Sequence, residues 1–262
     1  VRKLLVLVSG LTFATMTNVL AQDRFEQMVE VKVKPSYEQS YESYLKKVIE
    51  AANKIESPLG WNTFFVVVGK QSPTYRIALS FDKWADRDQW PNGPQEMLVQ
   101  AFGEKEASRI DREGHVGIES VTVQIWERLD DASSFPETGG RLSNFYGNTV
   151  RHVKLEMAPD YRSALRNLKG AYAVSSEKPT VTRFLLRFGE GQGSTFRLTE
   201  PFNTWSEMDG WRNAEIVREN LSEEDREFNS RTMTAALWKL ERFVTAHRPD
   251  LSRAALGSTI NE

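Results

Sequence analysis

One segment of this chain repeats within it. Thr74-Tyr-Arg-Ile-Ala-Leu-Ser-Phe-Asp-Lys-Trp-Ala-Asp-Arg-Asp-Gln-Trp-Pro-Asn92 aligns without a gap on Thr195-Phe-Arg-Leu-Thr-Glu-Pro-Phe-Asn-Thr-Trp-Ser-Glu-Met-Asp-Gly-Trp-Arg-Asn213. Seven positions are identical: Thr74/Thr195, Arg76/Arg197, Phe81/Phe202, Trp84/Trp205, Asp88/Asp209, Trp90/Trp211 and Asn92/Asn213. Chance gives about one match, and two of these are tryptophan, a rare residue. Flanking matches keep the same order: Phe64 to Gly69 with Phe184 to Gly189, Val31-Lys-Val33 with Val153-Lys-Leu155, and Ile125-Trp126 with Leu237-Trp238. A duplicated unit of this length must fold twice and pack against itself.

Each copy reads in the same order. Val29, Val31 and Val33 alternate with Glu30, Lys32 and Lys34, the period of a strand. Ser36-Tyr-Glu-Gln39 is a capping-box start for a helix with apolar positions Tyr37, Tyr41, Leu45, Val48, Ala52 and Ile55. Residues 61–68 and 74–81 form a hairpin pattern. A Trp-bearing turn, a helix over 94–112 and a strand over 120–128 complete the copy. The second copy is expected over 149–244, a Ser/Gly/Asp-rich linker over 131–148, and a frayed tail over 245–262. The order β-α-β-β-α-β is ferredoxin-like. Such a sheet has helices on one face only, and two copies can close their bare faces together. The fold class is therefore α+β, two tandem ferredoxin-like repeats forming an intrachain barrel.

With the element order, the tandem copies and the Phe-x-x-Trp-x-x-x-Asp-x-Trp stretch starting at Phe81 and Phe202, the chain resembles the dimeric α/β-barrel superfamily. Its NIPSNAP-like and antibiotic-monooxygenase-like members carry a similar aromatic stretch. The resemblance implies a ligand between sheet and helices or inside the barrel. Members include cofactor-independent oxygenases, haem-handling enzymes and proteins without a known activity. No catalytic signature of one branch is visible.

Residues 1–21 read as a cleaved secretory signal: Arg2 and Lys3, an apolar stretch from Leu4 to Met16, then Val19-Leu20-Ala21 before Gln22. A leading Val fits a non-ATG bacterial start, so the expected location is periplasmic or secreted, with no membrane association after cleavage. There is no Cys, which excludes disulfides, thiolate nucleophiles and Cys-ligated metals, and three His make a His-rich metal site unexpected. The formal net charge of −2 offers nucleic acid no general attraction. A homo-oligomer is compatible with the fold.

Candidate ligand-binding residues come from strand parity. Phe64, Val66 and Val68 with Tyr75, Ile77 and Leu79 are expected beneath helices. The opposite face then carries Arg76 in the first copy and Arg183, Arg187 and Arg197 in the second. If Phe188 pairs with Phe196, Arg187 faces Arg197, and such like charges call for a carboxylate or an anionic ligand between them. Trp126 and Trp238 share that face, and His152 stands where the first copy has Glu30. Three functions follow: a small-molecule binder, in its sharpest form a monooxygenase-like enzyme acting on an aromatic or anionic compound without a cofactor; a non-catalytic interaction or scaffold protein; and a haem protein with His152 as axial ligand.

Overall fold

The computed structural model describes residues 23–70, 72–90, 93–134, 142–177, 179–209 and 213–256. The proposed signal segment, Trp211 and Asn92 lie outside them. The first copy folds as β1 (Phe25–Val33), α1 (Glu38–Lys54), β2 (Asn62–Val68), β3 (Thr74–Phe81), α2 (Pro94–Phe102), α3 (Glu104–His115) and β4 (Ile118–Arg128). The second folds as β5 (Phe145–Val153), α4 (Ala158–Val174), β6 (Thr182–Phe188), β7 (Thr195–Phe202), α5 (Trp205–Asp209), α6 (Asn213–Asn220), α7 (Glu223–Ala236) and β8 (Leu237–His247). The eight strands close a barrel in the order β1-β3-β2-β8-β5-β7-β6-β4, with every neighbour antiparallel. Each copy thus contributes the ferredoxin-like sheet order, and β2–β8 and β4–β6 join the halves. No helix among the described residues is long and apolar enough to cross a membrane.

Registers fix which positions correspond. Phe25 faces Phe81 as Phe145 faces Phe202, and Val33 faces Ile118 as Val153 faces Leu237. Val33 therefore corresponds to Val153, two residues from the match that the sequence suggested, and His152 corresponds to Lys32 rather than Glu30. Likewise Trp126 corresponds to Thr245, because Glu26 faces Trp126 as Tyr146 faces Thr245. Trp238 is no counterpart of Trp126. Met233 and Ala235, just before it, belong to α7.

The barrel interior is packed by Met28, Phe64, Val66, Ala78, Trp126, Val150, Phe184, Leu186 and Phe243. On the outer face of the first half, Val31, Val33 and Tyr75 meet Tyr41, Tyr44, Leu45 and Val48 of α1, and Leu98 of α2. The α1 positions recur at helical spacing, which presents one apolar stripe to the sheet. The expected capping box does not form: Ser36 has left-handed backbone at φ 76°, and the helix starts at Glu38. The single helix expected over 94–112 is broken at Gly103, whose φ of 82° suits a residue without Cβ.

The Trp-bearing turns are structural. Trp84 packs on Phe25 at 5.2 Å and Trp205 on Phe145 at 5.2 Å, one aromatic stack per half. Asp86 and Glu207 accept from the preceding backbone amides there.

The linker and tail are not loose connectors. β5 begins at Phe145, inside the expected linker, and β8 runs to His247, inside the expected tail. Past β4, Leu129 and Ala132 enter the core of the second half, and Ser134 bridges Val181. Past β8, Leu251 enters the core of the first half, and Arg253 bridges Trp61. Each copy ends docked on the other copy, as subunits of a dimer would.

At one rim, burial pushes the Asp23 carboxyl up from an ordinary 3.8 to about 6, and Asp82 adds to it while Arg128 opposes. The folded state then holds a proton that the unfolded chain has released, so stability falls as pH rises from about 4 to 6. Asp23→Asn is expected to flatten that dependence and to gain on the order of 1 kcal/mol at pH 8, discounted for partial exposure. Urea titrations at pH 4, 6 and 8 measure it.

Candidate functional site

A cavity of about 370 Å³ lies between the sheet of the second half and helix α4. Thr149, Arg151, Phe196, Arg197, Leu198 and Arg183 line its sheet side, Tyr161, Leu165, Leu168 and Tyr172 its helix side, with Glu200, Asn213 and Arg242 around them. The register names the first-half counterparts. Thr149 faces Leu198 as Val29 faces Ile77, Arg151 faces Phe196 as Val31 faces Tyr75, and Arg183 faces Leu198 as Thr63 faces Ile77. Glu200 faces Gly147 as Leu79 faces Gln27, and Arg242 faces Thr149 as Val123 faces Val29. At five places the first half has Val29, Val31, Thr63, Leu79 and Val123, and the second has Thr149, Arg151, Arg183, Glu200 and Arg242. One half carries no charge at these places, and the other carries four charges around a cavity.

These charges are held under strong constraint. Arg183 is 1% exposed; its Nη1 donates to the Ala132 carbonyl, and its guanidinium lies 5.3 Å from the Tyr172 ring centre. Arg151 Nη1 donates to the Tyr161 hydroxyl at 2.9 Å. The Nε of both arginines is buried without a hydrogen-bond partner. Burial holds the Arg183 pKa below its ordinary value. Burial also raises Glu200, although Asn213, Arg183 and Arg151 all pull the other way. Tyr172 is raised by burial and drawn down by Arg183. Two unsatisfied cationic donors, a carboxyl poised above its ordinary value and three aromatic rings suit a planar molecule with an anionic group.

The remaining expected residues divide. Phe64 faces Arg76 and Phe184 faces Arg197, so Phe64 and Val66 lie inside the barrel with the arginines, and the helix-covered face carries Arg183 instead. The hairpin register is shifted from the expected one, so Arg187 does not face Arg197. It pairs with Glu127, which also binds Arg24 at 2.7 Å. Arg76 and Arg197 do sit inside with Trp126, against Glu30 and Glu26 respectively. Trp238 is exposed and lies against the His152 ring at 5.3 Å. His152 has a carboxylate partner that sequence could not assign: its Nε2 is 3.0 Å from Glu241, and its Nδ1 is 3.2 Å from Thr195 Oγ1. Burial would raise Glu241, but hydrogen bonds from Lys239 and His152 bring it down to about 2.

A haem needs an axial ligand. No His or Met lines the cavity among the described residues, and both nitrogens of His152 are engaged elsewhere. The residues present do not fit a His-ligated haem in the cavity. Nor does any group of three or more His, Asp or Glu among the described residues suit a metal ion.

Arg151, Glu200, Tyr161, Tyr172, Asn213 and Arg242 were missed from sequence. The signal was there in the contrast between copies, but it appears only once the strands are aligned in their true register.

No protein-family profile matches the chain, and no curated protein does. Solved structures do. An anthrone oxidase-like protein is 12% identical, with a TM-score of 0.53, covering 92% of this chain and 98% of its own. A candidate monooxygenase of Fusobacterium nucleatum is 13% identical, with a TM-score of 0.51, covering 86% and 92%. A haem-binding protein from Thermus thermophilus matches at 10% identity and a TM-score of 0.44, too distant to bear on ligands. Identities this low speak to architecture alone, and with the closed eight-stranded barrel they agree: the chain has the dimeric α/β-barrel fold, built from two ferredoxin-like repeats within a single polypeptide.

Proposed function

We propose that this chain is an exported small-molecule-binding protein whose ligand is a planar aromatic anion seated in the second-half cavity. The observation that carries the reading is the exchange of Val31, Thr63 and Leu79 for Arg151, Arg183 and Glu200 at matched positions. Buried charge costs stability when it replaces hydrocarbon, so its presence in one copy only asks for a reason outside folding. A scaffold protein would have no use for it. Export rests on the pattern of residues 1–21.

The finer form of the reading is a cofactor-independent, monooxygenase-like reaction. Glu200, held above its ordinary pKa by burial, is placed to take a proton from a hydroxylated ring whose anionic group Arg183 and Arg151 hold. The named fold neighbours, a candidate monooxygenase and an anthrone oxidase-like protein, are compatible with that chemistry. Titration calorimetry with hydroxybenzoates and hydroxynaphthoates tests the binding. Wild type is expected to saturate, and Arg183→Gln to weaken the best ligand by about 10- to 100-fold, the worth of a hydrogen bond to a charged group. Equal affinity in the two proteins would sink the site. Oxygen uptake on the best ligand, lost in Glu200→Gln with binding retained, separates an enzyme from a binder.

A further inference from the structure

Inside the barrel, Arg76 and Arg197 occupy matched places in the two halves, each facing the Phe of the neighbouring strand, and Arg197 stands where β7 also borders the cavity. Both are 3% exposed. The Arg197 guanidinium lies 4.1 Å from the Phe184 ring centre and 4.9 Å from that of Trp126, and Arg76 lies 4.7 Å from that of Phe243. Stacked guanidinium faces leave only in-plane N–H edges to be satisfied.

Acceptors reach those edges incompletely. Glu26 accepts from Arg197 Nη2 at 2.5 Å, but Glu30 stands 3.5 Å from Arg76 Nε and is shared with Lys70 at 3.4 Å. The second half has Tyr146 and Val150 at the places of Glu26 and Glu30, and its nearest carboxylate, Glu241 opposite Val150, is engaged by Lys70, Lys239 and His152. Around this point of the core, Arg76 Nε, Arg197 Nε and Trp126 Nε1 are buried without a hydrogen-bond partner. All three are donors. Leaving a buried donor unpaired costs about 1–3 kcal/mol, so three together within one core require an acceptor. Burial and repulsion from Arg197 take Arg76 down to about 10, although Glu30, Glu26 and Glu241 pull the other way. A water molecule would bring two more donors. An anion brings only acceptors and negative charge.

We propose that Arg76, Arg197 and Trp126 hold a small inorganic anion of chloride size inside the barrel. It acts as a structural counter-ion between the two halves, independent of any ligand in the cavity.

Thermal unfolding of the full chain in sodium chloride and in sodium gluconate at equal ionic strength reads the effect, because gluconate is too bulky to enter the barrel. With chloride about tenfold above its Kd, Tm is expected to be roughly 3–6 °C higher than in gluconate. The double variant Glu26→Gln/Arg197→Gln removes an ion pair together, which leaves the net charge of the core unchanged, and is expected to lose that difference. Crystals grown in bromide are expected to show an anomalous peak between Arg76 and Arg197. Equal Tm in the two salts would overturn the proposal. So would a difference undiminished in the double variant, which marks a general salt effect, or a bromide crystal without the peak, which settles the matter even if the variant does not fold.

Discussion

Deleting residues 249–262 is expected to unfold the first half of the barrel, although all of that half's own sequence remains. Leu251 is fully buried in the core under α1, and its carbonyl accepts from Trp61 Nε1 at 3.2 Å and Thr63 Oγ1 at 2.6 Å. Arg253 donates to the carbonyls of Ala52, Ser57 and Leu59 and to Asn53 Oδ1. Those carbonyls lie at and beyond the end of α1, where a helix has no partners of its own. Removing one large buried side chain costs about 2–5 kcal/mol. Several hydrogen bonds to a charged group add about 1.5–3 kcal/mol each, though not additively. The sum approaches the whole stability of an ordinary domain, about 5–15 kcal/mol. Denaturant unfolding followed by circular dichroism and tryptophan fluorescence checks it. A truncated chain that melts with wild type would show the docked tail to be incidental. Arg253→Ala is the milder version and is expected to lower the midpoint without abolishing folding.

The second large effect runs in the opposite direction. Restoring the first-copy residues in the second half, with Arg151→Val, Arg183→Thr and Glu200→Leu together, is expected to raise stability by about 1–4 kcal/mol, as replacement of buried ionic groups by hydrocarbon commonly does. The same triple variant is expected to lose binding of any aromatic anion that wild type takes up. Singly, Arg183→Thr leaves Glu200 short of one of its cations and is expected to be neutral or destabilising. A triple variant less stable than wild type would mean that the charges serve the fold. Stable but still binding, it would move the ligand elsewhere.

The architecture was legible because duplication writes its signal in large aromatic residues. Phe81, Trp84, Phe202 and Trp205 build the same stack twice, and rare residues at fixed spacing survive comparison within one sequence. The site was not legible, and the cause is register. Strand parity has period two, so pairing Phe188 with Phe196 instead of Leu185 with Phe196 moved Arg183 and Phe184 to each other's faces. Nothing in the hairpin tip fixed that choice, since Gly189, Gly191 and Gly193 all take positive φ and admit several loop lengths. The last strand misled differently. Leu237-Trp238 imitates Ile125-Trp126, yet α7 runs straight into β8 at Leu237, and the true counterpart of Trp126 is Thr245. His152 gained its partner Glu241 only through the pairing of β5 with β8, contacts about ninety residues apart in sequence.

The closure of β2 on β8 and of β4 on β6 makes one polypeptide do what two subunits would do. In a symmetric pair, any arginine introduced beside one sheet appears beside both, and the assembly carries the cost of buried charge twice. A fused chain escapes that rule. One half can stay densely packed and act as ballast while the other gives up packing for recognition. For the proposed ligand this predicts one occupant per chain, filling along a simple hyperbola, because the matched positions of the first half carry none of those charges.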